Sequence, residues 1–311
     1  MLWLIGNKGM LGKELSLLLE KNNLPFIGTD REVDITDPAA LSEFINAQAN
    51  SGNSFIWIIN CAAYTAVDKA EDDADNCRSL NTPGAGNIAA CAKNIGAQFI
   101  HISTDYVFDG KGITTEGVRR PYREDDPTNP IGVYGITKRD GELAVMASNE
   151  RSYIIRTAWL YGKHGNNFVN TMLRLMNERD EVNIVNDQRG SPTRAFDLAR
   201  IIILMIRASV ISPLSEAGMN VPFGIYHFTN EGNITWFDFA QEIYKQGREL
   251  GLIKKDCAVK PCTSAEFPAK VKRPAFSVLD KRKIKTALEI EIPAWDKSLR
   301  KFLKNNDDLK L

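Results

Sequence analysis

The chain opens on an apolar run, Leu2 to Ile5, and then on a stretch from Leu11 to Lys21 whose apolar positions recur at helical spacing. The same pair of signals returns twice more: Phe26 to Gly28 before Pro38 to Ala47, and Phe55 to Ile59 before a polar stretch. Short apolar runs alternating with helical patterns specify βαβ units, whose crossovers lay the strands parallel in one sheet. The rhythm continues through a helix from about Thr82 to Asn94, a strand from Gln98 to Ile102, a long proline-containing loop, a helix after Tyr134 and a strand from Tyr153 to Arg156. The expected fold class is α/β, a Rossmann-type doubly wound parallel sheet over residues 1–156. Beyond Arg156 the pattern changes to helices separated by irregular stretches, with a short strand at Gly224 to Phe228 and aromatic-rich helices near Trp236 and Trp295. Residues 157–311 are therefore expected to form mainly a smaller substrate-binding lobe. No linker separates the halves, so some segments of the second should return to the first; the polar end, Asn305 to Leu311, should fray.

With 311 residues, 43% of them hydrophobic, the chain can bury a large core and is not expected to be disordered. Thirty-nine basic residues balance 39 acidic ones, so no global field favours nucleic acid or an anionic membrane, and a small-molecule partner is the better expectation. Cys61, Cys77, Cys91, Cys257 and Cys262 are odd in number and scattered, which argues against a disulfide framework or a structural zinc site and fits the cytoplasm. The apolar N-terminus lacks a basic leader, and Ile201 to Ile206 falls far short of the roughly 18 apolar residues of a membrane span. The latter reads as a buried helix.

Directly after the first strand stand Gly6, Gly9, Met10, Leu11 and Gly12, opening a helix. Strand, glycine turn and helix in that order form a dinucleotide fingerprint: glycine lets the backbone turn tightly, and the helix N-terminus offers unpaired amides and a positive dipole to a pyrophosphate. Asp30 follows the second strand where an acid would hold the adenine ribose of NAD, while Arg31 beside it suits the 2′-phosphate of NADP. The pair leaves NADPH and NADH both open. Asp34 and Ile35 are placed to flank the adenine. Ala63, Tyr64 and Thr65, at the carboxyl end of the third strand, are candidates for backbone contact with the cofactor, or else small residues for helix packing.

Tyr134 and Lys138 lie one turn apart on one helix face, and the strand before that helix runs out into Ser103, Thr104 and Asp105 at the crevice of the sheet. Ketone reduction needs a hydride, which a nicotinamide supplies, and an acid for the oxygen. A phenol is a weak acid, titrating near ~10, but a neighbouring ammonium stabilises its phenolate. Tyr134 is the expected proton donor, Lys138 its partner and a ligand of the nicotinamide ribose, and Thr104 a hydrogen-bond donor to the carbonyl oxygen.

With the glycine turn, the segments Asn60 to Asp68 (NCAAYTAVD), Ser103 to Phe108 (STDYVF), and Tyr134 with Lys138 in order, the chain resembles the extended short-chain dehydrogenase/reductases. More narrowly it is similar to the dTDP-4-dehydrorhamnose reductases, a likeness that continues through Arg156 to Tyr161 (RTAWLY), Asn166 to Phe168, Asn186 to Gly190, Pro192 and Thr193, and ends near Arg273, Pro274 and Trp295. The resemblance implies reduction of dTDP-4-dehydro-L-rhamnose by NADPH or NADH, with Thr104, Asp105 and Trp159 meeting the sugar nucleotide, in a monomer or homodimer. Some members hold Mg2+ through glutamates at a dimer interface. Glu14 alone matches here, the other positions being Phe196, beside Asp197, and Asp296, so a metal-bridged dimer is not expected. Two other readings remain: a nucleotide-sugar epimerase or dehydratase of the same superfamily, against which Tyr106 stands where a dehydratase has a glutamate, and a non-catalytic subunit resembling the regulatory subunit of methionine adenosyltransferase. A late basic cluster, Lys254, Lys255, Lys270, Lys272 and Arg273, reads as a solvated face or as a contact for the donor's diphosphate.

Overall fold

The computed structural model of the chain describes residues 1–115, 117–209, 221–267 and 269–305. From residue 306 onward the polar tail expected to fray lies outside the described residues. The first half runs β1 (Leu2–Ile5), α1 (Met10–Lys21), β2 (Phe26–Thr29), α2 (Pro38–Asn50), β3 (Trp57–Asn60), α3 (Val67–Ala70), α4 (Ala74–Asn81), α5 (Pro83–Asn94), β4 (Gln98–Thr104), the hairpin β5 (Ile113–Thr115) and β6 (Val118–Arg120), α6 (Val133–Ser148) and β7 (Ser152–Thr157). The second runs β8 (Leu160–Tyr161), α7 (Phe168–Glu178), β9 (Glu181–Val185), β10 (Arg189–Gly190), β11 (Thr193–Arg194), α8 (Ala195–Ser209), β12 (Gly224–His227), β13 (Ile234–Thr235), α9 (Trp236–Glu249), β14 (Ala258–Cys262), α10 (Arg282–Leu288) and α11 (Trp295–Leu303).

Six strands form one parallel sheet in the order β2, β1, β3, β4, β7, β12. The order reverses between β1 and β3, and in an open sheet the crevice at such a switch point is where a ligand lies. Period two explains the apolar runs: on β1, Leu2 and Leu4 join one buried layer while Trp3 and Ile5 join the other. The first layer is covered by α1 and α8, the second by α2, α5 and α6. Caps sharpen the helix ends. Asp37 accepts the Ala39 amide at 2.8 Å with Pro38 in the first turn of α2, and Thr235 and Asp238 form a reciprocal capping box on α9.

A separate cluster, built from α7, α9, α11, β9 and β14, forms a smaller lobe. Three elements from the second half of the chain belong instead to the sheet and its layers. β12 extends the sheet beside β7, α8 packs on α1, and α10 packs under β12. The apolar run Ile201 to Ile206 thus belongs to α8 and is buried apart from the half-buried Leu204. The polar stretch after β3, which carries no periodic signal, folds as the two short helices α3 and α4.

Candidate active site

At the end of β1 the chain reverses on Gly6, whose φ of +79° suits glycine and whose missing Cβ would stand 2.7 Å from the Ala62 nitrogen. Gly12 lies closer still, its Cβ position 2.1 Å from the Gly6 carbonyl oxygen. Gly9 is the N-cap of α1, with no side-chain cap and no acid in the first turn, so the amides of Met10, Leu11 and Gly12 present the positive end of the helix. Leu11 is buried in the core and offers this site its backbone alone. An uncapped helix start against a glycine turn fits a dinucleotide pyrophosphate.

The residues expected around the adenosine are spread along the rim. Asp30 is half-buried at the end of β2 and Arg31 is exposed beside it. Lys8 of the glycine turn reaches across to Glu32 at 3.2 Å, adding a cation that the motif alone does not single out. Asp34 accepts both the amide and the hydroxyl of Thr36, at 2.8 and 2.7 Å. The Ile35 side chain is buried against Gly84, while its carbonyl accepts from Asn87. Ala63 and Tyr64 are half-buried and Thr65 exposed; Asn81 bonds both backbone polar groups of Tyr64, at 2.8 and 3.1 Å, and so pins this loop.

β4 delivers Thr104 to the carboxyl end of the sheet, where its hydroxyl caps a short turn by accepting the Tyr106 amide at 3.2 Å and donates to Asp105 Oδ1 at 3.0 Å. Burial pushes the Asp105 carboxyl up to about 6, against the hydrogen bonds of Ser277 and Thr104, and its second oxygen has no partner among the described residues. Tyr134 stands in the first turn of α6, its ring 5.4 Å from that of Tyr106 and nearly edge-on. Burial drives the phenol above its ordinary value; hydrogen bonding to Thr104 opposes the rise and the Asp105 charge adds to it. Lys138, one turn on, is buried, donates from Nζ to the Ile102 carbonyl at 2.7 Å and lies 3.2 Å from His101 Nε2. Burial brings its ammonium down to about 8, with Glu142 resisting. Thr104 and Tyr134 therefore meet at the crevice, with Lys138 one helical turn on, its amine bonded to β4.

α6 is held in place by groups that spacing does not reveal. Glu71, just past α3, accepts the Val133 amide at 2.8 Å and caps the helix start. Glu142 receives Arg156 of β7 at 2.7 and 2.9 Å and the Ser103 hydroxyl at 2.5 Å. Polar residues at alternate positions of an otherwise apolar buried strand, His101 and Ser103, were the available signal.

A cleft of about 1380 Å3 opens from Thr65 and Tyr106 into the second lobe, lined among others by Arg179, Asp187, Trp236 and Arg273. Trp159, held at a φ of +49°, stacks on Trp236 with ring centroids 3.6 Å apart, and Trp236 is the ring on the cleft wall. Lys270 and Arg273 pair with Asp72 and Asp68 across the cleft mouth, and Lys255 pairs with Asp180. Among the described residues no three His, Cys, Asp or Glu side chains gather as a metal would need. Glu14 is buried on α1, and Asp197 accepts from Asn230 and Ser298.

The sequence profile of the family described as RmlD substrate binding domain matches residues 1–307. A dTDP-4-dehydrorhamnose reductase of Aggregatibacter actinomycetemcomitans is 36% identical over 96% of this chain and 97% of its own. The chain belongs to the dTDP-4-dehydrorhamnose reductase family. Two solved members of that family superpose closely. The Clostridium acetobutylicum structure has a TM-score of 0.85 at 39% identity, and that from Bacillus anthracis, in complex with NADP, has 0.85 at 34%; each match covers 98% of both chains. The match spans every motif from the glycine turn to Trp295. Asn167, for example, sits in one of them as the N-cap of α7, accepting the Asn170 amide at 3.0 Å.

Proposed function

We propose that this chain reduces the 4-keto group of dTDP-4-dehydro-L-rhamnose to give dTDP-L-rhamnose. The observation that carries the reading is the meeting of Thr104 and Tyr134 at the sheet crevice, with Lys138 one turn on along the same helix, beside a cleft large enough for a sugar nucleotide. NADPH or NADH, bound at the glycine turn, supplies the hydride. Gly9 to Gly12 face the pyrophosphate, and Asp30 with Arg31 and Lys8 meets the adenine ribose or its 2′-phosphate. Tyr134 gives its proton to the ketone oxygen, Thr104 orients that oxygen, and Lys138 stabilises the phenolate left behind and binds the nicotinamide ribose. Asp105 and the stacked Trp159 and Trp236 position the sugar nucleotide. The enzyme works in the cytoplasm, in keeping with five unpaired cysteines and with the lack, among the described residues, of a helix long and apolar enough to cross a membrane.

The test is oxidation of NADPH and of NADH by the purified chain across a panel of nucleotide-linked 4-ketosugars. dTDP-4-dehydrorhamnose should turn over fastest, and Tyr134→Phe should lose on the order of 10²–10⁴ in kcat while still binding cofactor. Tightly held cofactor that is recycled without net oxidation would point to epimerisation instead. Unchanged turnover in Tyr134→Phe removes the phenol from the mechanism.

A further inference from the structure

Beneath Lys138, two buried side chains form a line whose hydrogens can be assigned. Asn60, the last residue of β3, and His101 on β4 are register partners across the parallel ladder. Asn60 Oδ1 accepts the Ala62 amide at 2.9 Å, which fixes the side-chain amide so that Nδ2 faces His101 Nδ1 at 3.1 Å. Nδ2 can only donate, so Nδ1 is the nitrogen without hydrogen. Burial by itself holds the imidazole well below its ordinary value, so the ring is neutral with its hydrogen on Nε2. That N–H points at Lys138 Nζ, 3.2 Å away. An ammonium has no lone pair to receive it; an uncharged amine does.

We propose that Asn60 and His101 are positioning residues for Lys138: a donor relay that lowers the proton affinity of its amine in the free enzyme and links its protonation to the backbone of the crevice loop at Ala62. For Nζ to take up a proton the line must reverse. Nε2 must accept, Nδ1 must carry the hydrogen, and Asn60 must turn its oxygen to Nδ1, releasing the Ala62 amide. A ligand settling on the loop that begins at Ala62 therefore favours the charged lysine, the form that stabilises a phenolate. The catalytic meaning rests on the reductase reading; the assignment of hydrogens rests on geometry.

The other groups facing Lys138 do not set its state as directly. Glu142, one turn along α6, favours the charged form but is itself engaged by Arg156 of β7 and Ser103 of β4. On the remaining sides, burial keeps the thiols of Cys61, after β3, and Cys77, on α4, protonated, the first pushed up to about 12, and the Tyr134 phenol is also held neutral.

Carbon-13 NMR titration of cofactor-free enzyme labelled at lysine Cε tests the relay without turnover, the Lys138 signal being assigned by its loss in Lys138→Arg. The wild-type midpoint should lie at or below about 8. In Asn60→Asp the carboxylate keeps the Ala62 amide and accepts from Nδ1, which makes Nε2 an acceptor; in His101→Gln a side-chain carbonyl can face Nζ. The midpoint should rise by at least about one unit in each. A midpoint unchanged in whichever variant folds, or a wild-type Lys138 that titrates with surface lysines near ~10.4, overturns the relay. Failure of every ketosugar to turn over would defeat the reductase reading while leaving this titration as it stands.

Discussion

Asp105 is buried behind Thr104 with one oxygen unpartnered among the described residues, and burial raises its carboxyl from 3.8 to about 6. Because the folded value lies above the unfolded one, the folded protein binds this proton more tightly. The resulting stability is complete below about pH 4 and is lost as pH rises through about 6. Asp105→Asn removes that loss. Its thermal midpoint should exceed that of the wild type at about pH 7.5, by a stability increment no larger than roughly 3 kcal/mol, and the excess should vanish near pH 4. Calorimetry at the two pH values decides; an equal difference at both would mean that the carboxyl does not titrate in this window. Thr104 and Asp105 were legible as candidates from their place at a strand end. The shift was not, because it comes from burial, partly offset by Ser277, and only the assembled fold provides either.

α6 carries both Tyr134 and Lys138, and what fixes it lies on other elements. The Glu142 and Arg156 pair is bidentate and almost wholly buried, their side chains 4% and 3% exposed. Removing one partner strands a charge, so Arg156→Met should cost about 3–5 kcal/mol in chemical denaturation, whereas the double replacement by Glu142→Met and Arg156→Met should recover much of that loss. A double variant no more stable than the single one would show that the pair acts through packing and not through its charges. At Gly141 the helix comes so near α4 that a Cβ would stand 2.1 Å from the Asn81 carbonyl oxygen. Gly141→Ala should therefore push α6 outward and lower kcat as well as stability, the latter by about 1–3 kcal/mol. Helical period located α6 correctly. Neither the ion pair nor the close approach was readable, since each joins residues on different elements with nothing in their spacing to pair them.

At the scale of the molecule, the parallel sheet and its helices followed from alternation of short apolar runs with helical patterns, because a strand covered on both faces leaves that signature. The return of α8, β12 and α10 to the sheet layers leaves no local mark, since a helix buried on a sheet and one buried in a small lobe read alike. The two parts meet again at the cleft mouth. There Arg273 pairs with Asp68 and Lys270 with Asp72, while Asp68 also accepts the Val271 amide at 3.4 Å. The Lys270 pair is well exposed and that of Arg273 partly so, hence each is worth at most about 1 kcal/mol and is open to screening. Raising salt from about 0.05 M to about 0.5 M shortens the Debye length from above ~10 Å to below ~8 Å, and should loosen this segment from α3. Trypsin cleavage after Lys270 and Lys272 should then accelerate, cofactor with sugar nucleotide should suppress it, and the double variant Asp68→Asn with Asp72→Asn should be cut quickly at low salt with little further response. Cleavage of the wild type at one rate across the salt range would show that apolar packing, and not these ion pairs, holds the mouth of the cleft.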